Sequence, residues 1–194
     1  MESESARPPH GKEAGLDVVV GLGANLGNPW LTLRRAVLEL AIWSPTLSIS
    51  PIYRSAPVGG PPQPDFLNAA VRLSYPGSAA SLLEDLLALE RAEGRERRER
   101  WGPRSLDLDI LWVEGLQLAQ PGLCIPHPRL RERAFALRPL LDVAPDAVDP
   151  RDGVGYATIL GELGMSGIQR LATTWFELPL GDPPLGMDSP GAGW

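Results

Sequence analysis

Residues 106–113 constrain this chain more than any other part of its sequence. Apolar residues alternate there with two carboxylates, Asp107 and Asp109. Residues two apart in a β-strand face the same side of a sheet, so both aspartates project together while Leu108 and Ile110 enter the core. The sequence therefore predicts a sheet whose strand at 106–113 has one buried apolar face and one face that carries two carboxylates.

The remaining segments predict an α+β fold. Strand-like runs occupy residues 16–22, 48–53, 66–73 and 106–113, and helical patterns follow the capping residues Asn28 and Ser78. This order predicts a ferredoxin-like βαββαβ sandwich with a mainly antiparallel sheet and helices packed on one face. Gly94 is the expected end of the second helix, and Glu114-Gly115 is the expected hairpin turn after the strand at 106–113. A short helix at 134–143 and further C-terminal strands and helices extend the βαββαβ unit. A small doubly wound sheet is the alternative.

Length and composition predict one domain between two tails. The chain has 194 residues, of which 42 are glycine or proline and 43% are hydrophobic. We expect a disordered leader at 1–15, a single folded domain at 16–177, and a disordered proline- and glycine-rich tail at 178–194. Cys124 is the single cysteine, so an internal disulfide is excluded.

The composition also excludes several classes of protein. No apolar run approaches 18 residues, so we expect no membrane span, and the N-terminal segment lacks the apolar core of a secretory signal. A cytoplasmic protein is therefore predicted. The net charge of −6 argues against nucleic-acid binding, although six basic residues cluster between Arg91 and Arg104.

The acidic strand and the arginine-rich stretch before it favour a site for a metal-bound polyphosphate. Two carboxylates on one face repel each other unless a hard cation such as Mg²⁺ or an arginine lies between them. Residues 94–104 hold five arginines around Trp101, and guanidinium groups match phosphate oxygens. A solvated charge run that pairs with Glu96 and Glu99 is the alternative for this stretch alone.

Three smaller features carry weaker predictions. Residues 21–27 form G-x-G-x-x-x-G, one residue longer than the dinucleotide fingerprint, so a tight glycine turn is predicted. The amide of Asn68, on an otherwise apolar strand, could bind the edge of a heterocycle or make a hydrogen bond at a sheet edge. His127 lies between two prolines, which favours a rigid loop position.

Five motifs together resemble the 6-hydroxymethyl-7,8-dihydropterin pyrophosphokinases of folate biosynthesis. They occur in the order found in that family and span about residues 18–145. They are Gly21-Leu22-Gly23-Ala24-Asn25-Leu26-Gly27, Tyr53-Arg54-Ser55-Ala56-Pro57, Gln63-Pro64-Asp65-Phe66-Leu67-Asn68, Arg100-Trp101-Gly102-Pro103-Arg104-Ser105-Leu106-Asp107-Leu108-Asp109 and Ile125-Pro126-His127-Pro128.

The resemblance implies an enzyme, a 2-amino-4-hydroxy-6-hydroxymethyldihydropteridine diphosphokinase. It implies that a monomer transfers pyrophosphate from ATP to the pterin hydroxymethyl group and releases AMP, with two Mg²⁺ ions as cofactor. The metal ligands it implies are Asp107 and Asp109, and the catalytic residues are these two with Arg95 and Arg104. The implied ATP-binding residues are Glu90, Arg97, Arg98, Arg100, Trp101, Arg104, Ile110, His127 and Arg133. The implied pterin-binding residues are Ser55, Ala56, Val58, Gly59, Asn68, Trp101 and Phe135.

The chain departs from the family pattern in a few places. The loop between Gly94 and Trp101 is one residue shorter, so any of Arg97, Arg98 and Arg100 could be the phosphate contact. Pro128 follows His127 where an aromatic residue can occur, and Leu87 lies where some members have glutamine. The sequence assigns no general base.

Two other functions use the same features. A nucleotidyltransferase would also use Asp-x-Asp with Mg²⁺, but it would release pyrophosphate instead of AMP. An RNA-binding module of ferredoxin-like fold would use the arginine-rich loop, although such sheets present aromatic residues and aromatics are only 6% here.

Overall fold

The computed structural model describes residues 15–94, 102–172 and 175. The leader predicted at 1–15, apart from Gly15, and the predicted tail lie outside these residues. The elements in chain order are β1 Leu16–Ala24, α1 Pro29–Trp43, β2 Ser48–Ile49, β3 Ile52–Ser55, β4 Phe66–Tyr75, α2 Ala79–Ala92, β5 Asp107–Val113, β6 Leu118–Gln120, β7 Leu123–Ile125, α3 Ala134–Val143, α4 Tyr156–Leu163 and β8 Ile168–Ala172.

An antiparallel sheet forms the centre of the fold. Its strand order is β5-β1-β4-β3-β8, and the short β2 also pairs with β4. All of these pairs are antiparallel. In this register Gly23 of β1 lies between Asn68 of β4 and Asp107 of β5. Residues from three distant parts of the sequence are therefore neighbours at one end of β1.

The two faces of the sheet support two separate cores. Val18 and Val20 of β1 belong to a cluster with the buried sides of α1 and α2. Val19, between them, belongs to a second cluster with Ala70, Leu111 and the buried sides of α3 and α4. Helices therefore cover both faces: α1 and α2 pack together on one face, as predicted for the two helices of the βαββαβ unit, and the C-terminal helices α3 and α4 cover the other face.

The second face needs a helical cover because it is apolar along part of its length. Val19, Ala70 and Leu111 are fully or almost fully buried there under α3. Their apolar surface would otherwise face water, at a cost of about 25 cal/mol per Å². The predicted extra C-terminal elements supply this cover, and the structure confirms the helix predicted at 134–143.

The ends of the two N-terminal helices follow the predicted capping residues. The Asn28 side chain accepts a hydrogen bond from the Leu31 N–H at 3.0 Å, and Ser78 accepts one from the Ser81 N–H at 3.1 Å. Gly94 follows α2 with a φ of +77°, a conformation that favours glycine. These predictions are confirmed.

Two local predictions differ from the structure. The strand predicted at 48–53 is interrupted, because Pro51 has no N–H for a sheet hydrogen bond. At Ser50 the main-chain N–H donates to the Ala70 carbonyl at 2.9 Å, and the side-chain Oγ accepts from the Ala70 N–H at 2.8 Å. The turn at Glu114-Gly115 is present, but β6 after it pairs with β7 and not with β5.

The C-terminal part of the described chain completes the sheet. β8 pairs with β3, which would otherwise be the edge strand. Trp175 is fully buried, its ring centroid lies 5.8 Å from that of Trp30, and its Nε1–H donates to the Ser50 carbonyl at 2.8 Å. This segment therefore holds β3, which leads directly into the loop at 56–60.

Candidate active site

A cavity of about 310 Å³ lies on the α3 side of the sheet, where the apolar second core ends. Its floor includes Gly21 and Gly23 of β1, and its walls come from β3–β5 and from the segment before and within α3. The lining residues are Gly21, Leu22, Gly23, Ser55, Ala56, Pro57, Val58, Gly59, Gln63, Phe66, Asn68, Ala69, Gly102, Arg104, Asp107, Asp109, Leu111, His127, Arg129, Arg133, Phe135 and Ala136.

Asp107 and Asp109 both line this cavity from β5. Leu108 and Ile110 alternate with them and are buried in the core that packs on α1 and α2. The predicted alternation of the strand is therefore confirmed. The fold places two hard oxygen donors on the wall of a cavity large enough for a small molecule.

The two carboxylates are electrostatically unfavourable neighbours. Burial and the nearby charge of Asp107 raise the pKa of Asp109 to about 6, although the charges of Arg133 and Arg104 lower it. Desolvation and a like charge both disfavour the ionised form of a carboxyl group. A cation bound between Asp107 and Asp109 would relieve this cost.

Arginines surround the carboxylate pair. The Arg104 guanidinium pairs with the Asp107 carboxylate, and Arg133 Nη1 lies 3.8 Å from Asp109 Oδ2. Burial, ahead of any neighbouring charge, lowers the pKa of Arg133. Because a desolvated guanidinium is costly, an anion bound beside Arg133 would be favourable. Carboxylates and guanidiniums thus share one end of the cavity.

His127 is held as a neutral imidazole next to Asp109. Its Nδ1 accepts a hydrogen bond from the Arg129 N–H at 3.1 Å, which leaves Nε2 to carry the proton. Nε2 lies 3.9 Å from Asp109 Oδ2. Burial, followed by the charge of Arg133, lowers the pKa of His127 to about 4. At neutral pH it is therefore an uncharged donor toward the carboxylate end.

Asn68 and Ser55 form a second polar part of the cavity wall. The Asn68 Nδ2 donates to Ser55 Oγ at 2.9 Å across the β3–β4 pair, and Asn68 is 6% exposed. This hydrogen bond fixes the plane of the amide. A heterocycle in the cavity would therefore meet an oriented donor and acceptor pair.

An aromatic side chain and an exposed loop form the rim of the cavity. Phe135, at the start of α3, lines it, with the Arg133 guanidinium 5.8 Å from its ring centroid. Ala56, Val58 and Gly59 line it from the loop after β3, and the side chain of Val58 is exposed. Flat aromatic and loop surfaces of this kind suit a planar ligand.

Two of the predicted ATP-binding residues do not reach the cavity. Glu90 is 1% exposed in α2, and its Oε1 accepts from the Leu108 N–H at 2.8 Å. Ile110 is buried in the core below β5. Their predicted roles remain predictions, and so do those of the residues that lie outside the described part of the chain: Arg95, Arg97, Arg98, Arg100 and Trp101.

Several cavity residues were not singled out as site residues from the sequence. Gln63 and Arg129 line the cavity, and Gly23 leaves open the space between Asn68 and Asp107. Gln63 and Gly23 lie within the motifs that carried the resemblance, which was the available signal. Arg129 gives no such signal because its position depends on how the loop after His127 folds.

The fold brings paired carboxylates and arginines to one cavity, an arrangement that suits a metal-bound polyphosphate. The family model for 7,8-dihydro-6-hydroxymethylpterin-pyrophosphokinase matches residues 19–145. The chain belongs to this family.

Curated relatives are similar over most of the chain. A 2-amino-4-hydroxy-6-hydroxymethyldihydropteridine pyrophosphokinase of Synechocystis is 42% identical over 156 residues, covering 79% of this chain and 80% of the relative. The enzyme of the same name from Methylorubrum extorquens is 43% identical, covering 78% of this chain and 96% of the relative. A mitochondrial folate synthesis bifunctional protein of Arabidopsis thaliana is 38% identical but is covered over only 32% of its length.

Solved structures share the fold. An HPPK-DHPS structure in complex with substrates has a TM-score of 0.65 at 12% identity, covering 81% of this chain and 47% of that one. The wild-type HPPK-DHPS of Plasmodium falciparum has a TM-score of 0.61 at 12% identity, covering 82% and 49%. The chain thus spans about half the length of these solved chains. Within its described part, no helix has the length and apolar character needed to cross a membrane.

Proposed function

We propose that the chain transfers the pyrophosphoryl group of ATP to the hydroxymethyl group of 6-hydroxymethyl-7,8-dihydropterin. The products would be AMP and the pterin diphosphate, a step of tetrahydrofolate biosynthesis. The observation that carries this proposal is the shared cavity, in which Asp107 and Asp109 face arginines at one end and Asn68 lies on another wall. The names of the curated relatives support the same reaction.

The pterin would bind between the oriented amide and the aromatic rim. The Asn68–Ser55 hydrogen bond presents a fixed polar edge, and Phe135 offers a flat apolar surface. A pterin has a planar ring with a hydrogen-bonding edge, so it matches both features. This placement would leave its hydroxymethyl group free to point toward the carboxylate end.

The polyphosphate would bind beside the arginines. Arg104 and Arg133 carry positive charge to the same end of the cavity as Asp107 and Asp109. Neutral His127 adds an N–H donor there without adding charge. These groups would offset the charge that spreads over the phosphoryl oxygens during transfer.

The donor set at this end fits Mg²⁺. Among residues 15–94, 102–172 and 175, no group of three or more histidine, cysteine, aspartate or glutamate side chains is arranged to hold a metal ion. Asp107 and Asp109 alone would hold it, and Mg²⁺ commonly takes only one or two carboxylates together with phosphate oxygens and water. The two Mg²⁺ ions that the resemblance implies would neutralise the polyphosphate and help to position it.

The reaction itself requires mainly positioning. The hydroxymethyl oxygen would form a bond to the β-phosphorus while the bond between that phosphorus and the α-phosphate oxygen breaks. Strand β5 would hold the polyphosphate of ATP, and the Asn68–Ser55 pair would hold the pterin. The hydroxymethyl oxygen would then approach the β-phosphorus in line with the bond that breaks. The hydroxyl proton would be released to solvent, so that the products are AMP, the pterin diphosphate and one proton.

The remaining predictions concern fold type, location and assembly. The strand order β5-β1-β4-β3 with α1 and α2 on one face supports the predicted ferredoxin-like βαββαβ unit. The cytoplasmic location and the monomeric state are proposed on the sequence alone.

The test mixes purified protein with ATP, Mg²⁺ and 6-hydroxymethyl-7,8-dihydropterin and separates the nucleotide products by chromatography. We expect AMP in step with pterin diphosphate, and a loss of most activity in Asp109→Asn with the fold retained. Asp146→Asn is the matched control, because Asp146 is exposed and does not line the cavity. Pyrophosphate in place of AMP would instead identify a nucleotidyltransferase.

A further inference from the structure

Asn25 is a buried amide that lies directly after β1 and outside the lining of the cavity. It is 2% exposed. Its side chain contacts two segments that are distant in sequence, one around residue 104 and one around residue 63. Both segments contribute side chains to the cavity lining, Arg104 and Gln63.

The first contact ties Asn25 to the main chain of Arg104. Asn25 Oδ1 accepts a hydrogen bond from the Arg104 N–H at 2.8 Å, and the Asn25 N–H donates to the Arg104 carbonyl at 3.0 Å. These two bonds form a closed pair between residues 79 positions apart. They fix the point from which the Arg104 side chain extends toward Asp107.

The second contact ties the same amide to the loop before β4. Asn25 Nδ2 donates to Gln63 Oε1 and to the Pro64 carbonyl, both at 3.0 Å. The side chain therefore uses its acceptor on one segment and both donor hydrogens on the other. Of the side chains of this length, only an asparagine amide offers this combination, since aspartate lacks the donors and leucine lacks both groups.

We propose that Asn25 is a positioning residue for the reaction, which holds the Arg104 main chain and the Gln63 loop at fixed places relative to β1. The proposal rests on the proposed function, because its effect passes through the phosphate contact of Arg104. Asn25 itself does not line the cavity. Displacement of a reacting group by about 1 Å can cost about 100-fold in rate. Loss of the hydrogen bonds made by Asn25 should therefore lower the catalytic rate measurably.

The test is a double-mutant cycle between Asn25 and Arg104. We expect Asn25→Ala to lower kcat/KM by about 100-fold in the wild-type background. In the Arg104→Ala background the same substitution should lower it by less than about 3-fold, because the group that Asn25 positions is already missing. Equal losses in both backgrounds would overturn the proposal, and so would unchanged kinetics with a lower melting temperature.

A second readout separates this proposal from the proposed function. Binding of a non-hydrolysable ATP analogue with Mg²⁺ should weaken in Asn25→Ala and should not weaken further when Arg104→Ala is already present. If the wild-type protein binds the analogue but forms no AMP, the proposed function fails while the binding cycle still decides the role of Asn25. If it binds no nucleotide, both are overturned.

Asn28→Ala is the matched control. Asn28 lies three residues further along, is exposed, and caps α1 by accepting from the Leu31 N–H. Its loss should lower the melting temperature without coupling to Arg104. If Asn25→Ala does not fold, Asn25→Ser removes the same contacts with a small polar side chain and carries the same expectation.

Discussion

Arg104 and Asp107 pair through their side chains on the wall of the cavity. The guanidinium that would contact phosphate therefore neutralises a carboxylate that would hold the metal ion. Both partners are partly exposed, so water and ligands can reach them. This pairing makes the two binding events interdependent, because a cation at Asp107 and the Arg104 guanidinium compete for the same oxygens.

Replacement of Arg104 should change metal binding and phosphate binding in opposite directions. In Arg104→Ala we expect Mg²⁺ or Mn²⁺ alone to bind about 10-fold more tightly, because a positive charge beside Asp107 is removed. Turnover should fall by about 10²- to 10³-fold, because a phosphate contact is lost. Titration with the metal in the absence of nucleotide, together with steady-state kinetics, measures both. Arg91→Ala is the control, since Arg91 is an exposed residue of α2. Weaker metal binding in Arg104→Ala would contradict the pairing argument.

Gly23 should control the size of the pterin end of the cavity. A Cβ added at Gly23 would lie 3.8 Å from Asn68 Oδ1 and 3.8 Å from the Asp107 Cβ, which is ordinary contact. The Cβ of Gly23→Val therefore has room, and its two further methyl groups would occupy space between Asn68 and Asp107, so we expect the variant to fold and pterin binding to weaken by about 10-fold. Calorimetric titration with the pterin and thermal unfolding check the two statements.

Gly21 provides the comparison for Gly23. A Cβ there would lie 3.0 Å from three side-chain atoms of Leu111, so the second core would have to shift. Gly21→Ala should therefore lower the free energy of unfolding by about 1–3 kcal/mol, measured by urea denaturation. A normally stable Gly21→Ala, or a Gly23→Val that binds pterin as well as wild type, would show that the floor of the cavity is placed wrongly.

Ser55 should affect pterin binding through Asn68. Ser55→Ala removes the acceptor of the Asn68 amide hydrogen, and a buried donor without a partner costs about 1–3 kcal/mol. We expect a higher KM for the pterin and an unchanged KM for ATP, since the amide turns away from its fixed plane. Ser48→Ala, at an exposed serine of β2, should change neither KM. Equal effects on both substrates would instead indicate a general loss of structure.

Asp149 should make the stability of the fold depend on acid pH. Burial opposes ionisation of Asp149, but hydrogen bonds from Arg151 and the charges of Arg151 and Arg131 lower its pKa to about 2. Because the folded-state pKa lies below the ordinary value of 3.8, this group stabilises the fold above about pH 4, and the contribution is lost as pH falls toward 2.

The corresponding variant is Asp149→Asn. It should be less stable than wild type by about 2 kcal/mol near neutral pH, and the difference should shrink as pH falls from 4 to 2. Chemical denaturation at a series of pH values measures this. Asp146→Asn, at an exposed aspartate, should follow the wild-type curve. A difference that stays constant with pH would exclude the ion pairs as its source.

The parts of the fold that the sequence predicted are those that depend on local patterns. The alternation of Asp107 and Asp109 with Leu108 has a period of two, and the caps Asn28 and Ser78 act within three residues. Such signals need no knowledge of the rest of the chain. They were sufficient to predict the acidic strand and the starts of both helices.

The parts that the sequence did not predict depend on distant contacts. The side chain of Asn25 bonds to Gln63, 38 positions away, and to the main chain of Arg104, 79 positions away. The cover of the second face by α3 depends on Val19, Ala70 and Leu111 facing the same side after the sheet has formed. Neither a sequence motif nor the spacing of apolar residues predicts such long-range contacts, so they become apparent only in the folded structure.

The pairing of β8 with β3 has a consequence for how this chain can be joined to other proteins. Without β8, the main-chain groups of β3 would be open to the strands of another molecule, and exposed edges of this kind favour aggregation. A fusion protein in which the partner replaces the chain from Ile168 onward, and so removes β8, should therefore be prone to precipitation. A fusion joined after Trp175 should keep the edge covered, and light scattering of the two would show the difference.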